Sequence, residues 1–311
     1  ALPSPEGVCL LVTGDEEVGS PSSRALIEES ARGLAAAFVL EASADGGALK
    51  TARKGTSIYE LVVHGRAAHA GLEPEKGANA AIELAHQILA VAGIADQVNG
   101  GAAPDGLGPT TVTPTVLSGG TTTNTVPALA GVEVDVRVPT LAAQARVDEL
   151  MRALSPRLAG TRLEVLGGPN RPPLERASSA RLFELACRIA KDLDMEPLRG
   201  VAVGGASDGN FTAGVDCPTL DGLGAVGGGA HAVSEHVVVA EIPGRTALLT
   251  GLIASVLGGE PSAGDTATGA TVTEATGAGE AVAGEAAGGR TSPPASGGSA
   301  PAGAPPEEDG R

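Results

Sequence analysis

The chain has 311 residues, a formal net charge of −16 and only three phenylalanines and one tyrosine, with no tryptophan. Acidity without a basic cluster argues against a nucleic-acid partner and against an anionic membrane surface, since both need a positive footprint. No apolar run reaches the ~18 residues of a spanning helix, so no membrane partner is expected, and the length allows about two domains.

The run GVCLLVT over residues 7–13 predicts a buried strand almost at the start of the chain. A helix is predicted next, with Ser20 as its N-cap, Pro21 at the first helical position and Gly33 as its stop. AAFVLEA over residues 36–42 reads as a second short strand that ends on Glu41. This strand–helix–strand order argues for an α/β fold, where ligands gather at the carboxyl ends of strands. The middle of the chain has its own pattern. TSIYELVVHG (56–65) alternates as a strand, and GANAAIELAHQILAVAG (77–93) has helical periodicity. Strands follow at 108–120 and 130–139, then a helix at 141–160 and a last strand at 161–168. The order β-α-β-β-α-β is the ferredoxin-like split unit. It is expected to form an inserted domain over residues 54–167, between two parts of an α/β domain at 1–53 and 168–257.

Beyond the insert, the sequence predicts a helix at 178–195, a glycine-rich VGGASDGNF, a strand in CPTLDGLGAV, the loop GGGAHAVSEHV and a final helix at 241–259. Residues 258–311 lack apolar periodicity and are rich in Gly, Ala, Pro, Ser and Thr, so a disordered acidic tail is expected there. Cys9, Cys187 and Cys217 are far apart, form no CxxC pair and sit in apolar contexts. They read as small buried hydrophobes in a reducing, cytoplasmic compartment.

Asp15, Glu16 and Glu17 follow the first predicted strand, and three adjacent carboxylates repel one another. One reading is a solvated turn, because the dipole of a following helix favours negative charge at its start. The other is amide chemistry by a carboxylate base and a metal held by His, Asp and Glu. Glu16, Glu17, Glu41 and His231 each end a strand or lie in a glycine-rich loop. Neighbouring Glu residues on a turn point in different directions, so one can ligate while the other faces a bound water. Zinc accepts both imidazole and carboxylate ligands. The residues alone leave both readings open.

GDEEVGS, VLEAS, HGRAAHAGLEPEKGANA, GTTTNTVP, DVRV, GGASDGN and GAHAVSEHV occur in this order between residues 7 and 257. In this they resemble the M20 metallopeptidases, the family of glutamate carboxypeptidase, acetylornithine deacetylase and succinyl-diaminopimelate desuccinylase, with the glutamate carboxypeptidase branch closest. The resemblance implies a zinc-peptidase-like mixed sheet domain carrying an inserted ferredoxin-like lid or dimerisation domain. It implies two divalent metal ions, zinc first, with cobalt or manganese as alternatives. By position, Glu16 resembles the general base, Glu17 and Glu41 the ligands of separate metals, and His231 the partner of Glu17. His69 resembles the histidine that reaches across a homodimer to stabilise the oxyanion, against a simpler reading as a capped turn. Asn124 and Arg137 resemble the grip on the substrate's carbonyl and terminal carboxylate, and Asp208 lines the pocket. Arg137 could equally form a strand-face salt bridge, Asp15 reads as a capping or supporting acid, and His64, His86 and His236 as structural or surface groups. The implied substrate is a small peptide with a C-terminal, possibly acidic, residue. Alternatives are an N-acyl-amino-acid deacetylase, or a non-catalytic dimerisation module with a vestigial metal site. The family pattern also has a His ligand in an HxD-type motif and a bridging Asp upstream of the acid cluster. Neither occurs in this sequence, so an incomplete, N-terminally truncated sheet domain is expected.

Overall fold

The computed structural model describes residues 6–100 and 106–258. In chain order the elements are α1 (Arg24–Ala31), β1 (Ala37–Phe38), β2 (Leu49–Arg53), β3 (Gly55–His64), α2 (Ala80–Ala92), α3 (Ile94–Val98), β4 (Thr111–Gly119), β5 (Leu129–Val138), α4 (Leu141–Arg152) and β6 (Arg162–Arg171). They continue with α5 (Arg176–Asp192), β7 (Gly200–Val203), α6 (Gly209–Gly214), β8 (Thr219–Leu220), β9 (Gly227–Gly228), β10 (His236–Val237) and α7 (Ile242–Leu257). The fold is mixed α/β.

The four long strands form one sheet in the order β4-β5-β3-β6, antiparallel throughout. This is the spatial order of a ferredoxin-like unit, because α2 and α4 each cross one face of the sheet between strands. Alternation sets the buried face. Tyr59, Leu61 and Val63 of β3 and Val132, Val134 and Val136 of β5 point the same way, against Leu84 and Val91 of α2 and Val147 and Met151 of α4. Within this core Glu83 is fully buried. Its carboxylate accepts hydrogen bonds from the Arg157 and Leu158 backbone N–H groups at 3.0 and 2.6 Å and from Gln87 Nε2 at 2.5 Å. It therefore fixes the loop after α4 to the first turn of α2.

The second core belongs to the short strands. β1 lies parallel to β8, and β2 parallel to β7. Leu49 and Leu220 pack there against Leu182, Ala186 and Ala190 of α5 and Leu248 and Leu252 of α7. The stripe on α5 recurs every four residues, as expected for a helix lying on a sheet.

Three local expectations are corrected. Residues 7–13 form no strand: Leu10 and Val12 are 78% and 82% exposed, and Cys9 is exposed as well. An apolar run becomes a strand only when a neighbour takes its backbone hydrogen bonds, and among the described residues none lies beside it. The first helix begins at Arg24 after Ser23, not at Ser20, which adopts φ +57° and is buried. Strand pairing near Glu41 is limited to Ala37–Phe38, so Glu41 lies in the loop beyond β1. The tail expected over residues 258–311 falls outside the described residues except for Gly258.

Glu83→Ala would leave two backbone donors without their acceptor in the core. It is expected to cost about 2–4 kcal/mol, read as a lower urea midpoint at unchanged slope, with Glu83→Gln losing less.

Candidate active site

The acid cluster lies on a tight turn. Glu16–Val18 make a single 3-10 turn closed by Gly19 at φ +91°, and Ser20 follows in the same left-handed region. Asp15 ties this turn to the start of α1. Its Oδ2 accepts Ser22 N and Ser22 Oγ at 2.8 and 2.6 Å, and its Oδ1 accepts Ser23 Oγ at 2.5 Å. These bonds hold the Asp15 carboxyl well below the usual carboxylate range. Asp15 is thus a capping acid for the approach to α1.

Glu16 faces the inserted domain. Arg171, the last residue of β6, places Nη2 at 3.0 Å from Glu16 Oε1 and 3.0 Å from Glu16 O. The same nitrogen donates to Ser20 Oγ at 2.9 Å and to Asp208 Oδ1 at 3.2 Å, and the guanidinium lies 5.3 Å from the centre of the Phe211 ring. Asp208 in turn accepts Ser20 Oγ at 2.5 Å and Thr13 Oγ1 at 2.9 Å. Burial pushes the Glu16 carboxyl above its ordinary value; Arg171 opposes this, while the charges of Glu41, Asp208 and Glu17 add to it. The structure therefore brings Glu16 and Asp208 together on one buried cation, Arg171.

The remaining predicted residues lie elsewhere. Glu17 is exposed, and Glu41 Oε2 sits 3.8 Å from Arg53 Nη2. His231 is exposed at φ +63° in the turn between β9 and β10. His69 and Asn124 come together on facing loops, where His69 pairs with Thr125 and Ala70 N donates to Asn124 O at 2.8 Å. His69 Nδ1 accepts the Gly71 and Leu72 backbone N–H groups, each at 3.2 Å. In the neutral ring the proton is then on Nε2. Arg137 sits at the opposite end of the sheet, paired with Thr56 and bound through Nε and Nη2 to Asp135. Eight residue steps along β5 from Leu129 to Arg137 correspond to roughly 27 Å.

Residues 51–161 match the model of the M20 peptidase dimerisation domain. Carboxypeptidase G2 of a Pseudomonas species is 27% identical over 263 residues, which are 81% of this chain and 60% of that protein. The chain is thus similar to the M20 metallopeptidases, within and beyond this domain. It spans about 60% of the length of this curated relative. The M20 fold recurs in solved structures. Aminopeptidase PepT of Bacillus cereus superposes with a TM-score of 0.58 at 24% identity, covering 79% of this chain and 63% of that one. A dinuclear metal-binding M20 peptidase of Bacillus subtilis gives 0.51 at 15% identity, covering 77% and 62%.

Donors for a metal among the described residues are spread too widely to form a centre. Among the described residues no three His, Cys, Asp or Glu side chains converge, whereas a catalytic zinc usually takes three protein ligands. Glu17, Glu41 and His231 do not fit a two-metal centre by themselves, and Glu16 and Asp208 have Arg171 as their counter-charge. Sequence reasoning missed Arg171. Its signal was weak: NRPP at the end of a strand marks a crossing between domains, not a charge partner.

Arg171→Met would leave Asp208 and Glu16 facing each other without a cation. A loss of about 3 kcal/mol is expected, with faster proteolysis within residues 12–20. A carboxyl held low in the folded state stabilises above its unfolded value of 3.8 and loses that contribution as pH falls through the folded value. Acid titration of the unfolding midpoint should therefore show a drop below about pH 4 that is smaller in Asp15→Asn.

Proposed function

We propose that this chain serves a hydrolase of amide bonds that removes the C-terminal residue of a small peptide, with an acidic residue preferred. The observation that carries the reading is Glu16, a partly buried carboxyl raised in proton affinity and held against Arg171, in a chain similar to the M20 metallopeptidases. Such a carboxylate can take a proton from the attacking water and pass it to the leaving amine nitrogen. Carboxypeptidase G2 as a relative favours the carboxypeptidase branch over the deacetylase one. His69, with its proton on Nε2, is suited to donate to the oxyanion, and its place beside Asn124 fits action as a pair. The match to a dimerisation domain supports a homodimer in which this pair serves the neighbouring subunit. A guanidinium for the terminal carboxylate is offered at two positions. Arg137 is already bound to Asp135, while Arg171 keeps a buried Nε–H without an acceptor beside Glu16. Divalent ions, zinc first, belong to this reading with Glu17, Glu41 and His231 as the chain's donors, and no step is assigned to them because the donors fall short. A cytoplasmic setting is part of the same proposal.

The test compares a glutamyl-terminated dipeptide with an N-acetyl amino acid as substrates in the presence of zinc, alongside metal content after dialysis. The dipeptide should be the better substrate, and Glu16→Gln should lower turnover at least ~10²-fold without changing the fold. Preference for the acetylated substrate selects the deacetylase reading, and turnover that survives Glu16→Gln removes the assigned base. Fewer than two zinc ions per chain are expected from the donor count; two would show that other donors complete the centre.

A further inference from the structure

An open cavity of about 600 Å³ lies on the face of β2 and β7, within the size range of small-molecule sites. Its walls carry Lys50, Arg53 and Arg199, with Val201 and Val203 between them and Asp45 at one side. The sheet register explains the grouping. Lys50 pairs with Val201 and Arg53 with Val203, so the two valines, two residues apart on one strand, share a face flanked by the cations.

The three cations differ in what already holds them. Arg53 is buried, and its Nε and Nη2 bind Asp221 at 2.7 and 3.2 Å while Nη1 binds Gly205 O at 3.0 Å. Its charge is compensated, and Glu41 lies 3.8 Å away as a second acid. Arg199 binds a carbonyl, Asp45 O at 2.8 Å, which brings no negative charge. Of the described residues, none forms an ion pair with Lys50 or with Arg199. Burial and the neighbouring Arg53 work against the charged form of Lys50, Asp221, Glu41 and Glu16 partly offset them, and an entering anion would add to that offset. In a chain of net charge −16, two cations without an ion-pair partner among the described residues, beside an apolar strip, are a selective feature and not a general property of the surface.

We propose that this cavity binds a small organic carboxylate, its oxygens held by Lys50 and Arg199 and its short aliphatic body lying on Val201 and Val203. The planar guanidinium of Arg199 suits a carboxylate, and the valine strip favours a ligand with carbon behind the charge over a bare inorganic ion. The cavity borders the proposed hydrolytic groups, since Arg53 of its wall lies 3.8 Å from Glu41, but binding there does not depend on turnover.

Calorimetric titration of the 311-residue chain with butanoate, acetate, butanamide and inorganic phosphate tests it directly. Butanoate should bind saturably at one site, acetate about tenfold more weakly because it lacks two methylenes, and butanamide not measurably. Lys50→Met and Arg199→Gln should each weaken butanoate about tenfold or more, with unchanged circular dichroism. Equal binding of butanamide, or tighter binding of phosphate than of butanoate, overturns the proposal. So does undiminished butanoate affinity in both folded variants. Binding is read without catalysis, so failure of the hydrolase reading would leave this result unaffected.

Discussion

The buried ion pair between Arg53 and Asp221 is the constraint on which the rest of the α/β part depends. Both side chains are almost wholly removed from water, so each needs the other and its hydrogen bonds to offset the cost of desolvation. Asp221 also accepts Ser207 Oγ at 2.6 Å and the Gly222 N–H, while Arg53 takes the Gly205 carbonyl. One pair thus joins the end of β2, the residue after β8 and the loop that leads into α6. Asp208 follows Ser207 directly and carries that order onward to Ser20 and Arg171. The cluster around Glu16 is supported from behind by this chain of contacts.

The inserted unit connects to this frame through two crossings held side by side. Arg53 N donates to Leu174 O and Leu174 N to Arg53 O, so the strand leaving the α/β part and the strand returning to it meet. Buried Asn210 adds two bonds, from Nδ2 to Lys54 O at 3.1 Å and to Pro172 O at 2.7 Å. Gly55 is required at the crossing, because a Cβ there would lie 2.6 Å from Pro173 N. Arg171 stands at the same junction, which is why a residue of the insert's last strand becomes the counter-charge of an acid on the opposite part.

Much of the fold was legible in the sequence. The alternation in TSIYELVVHG and AGVEVDVRVP specified two ten-residue strands and their inward faces, and the four-residue recurrence of Leu182, Ala186 and Ala190 specified α5. The acid cluster and the capping role of Asp15 were within reach because each rests on residues close in the chain. Residues 7–13 were misread because composition reports what a segment would do beside a partner, not whether the partner is there. Ser20 was misread for a related reason. Its hydroxyl was counted as a helix cap, yet Asp208, 188 residues away, took it instead.

Local periodicity and turn chemistry determined by themselves that this chain builds a ferredoxin-like insert within an α/β frame, and motif order carried its resemblance to the M20 metallopeptidases. Those signals act over a few residues, where backbone geometry alone sets which side chains share a face. Tertiary structure alone decided which charges neutralise which. Arg171 meets Glu16 across 155 positions, Arg53 meets Asp221 across 168, and Lys50 and Arg199 form no ion pair among the described residues. Coulombic partners at such separations have no period or spacing to betray them, because burial and folding choose them together.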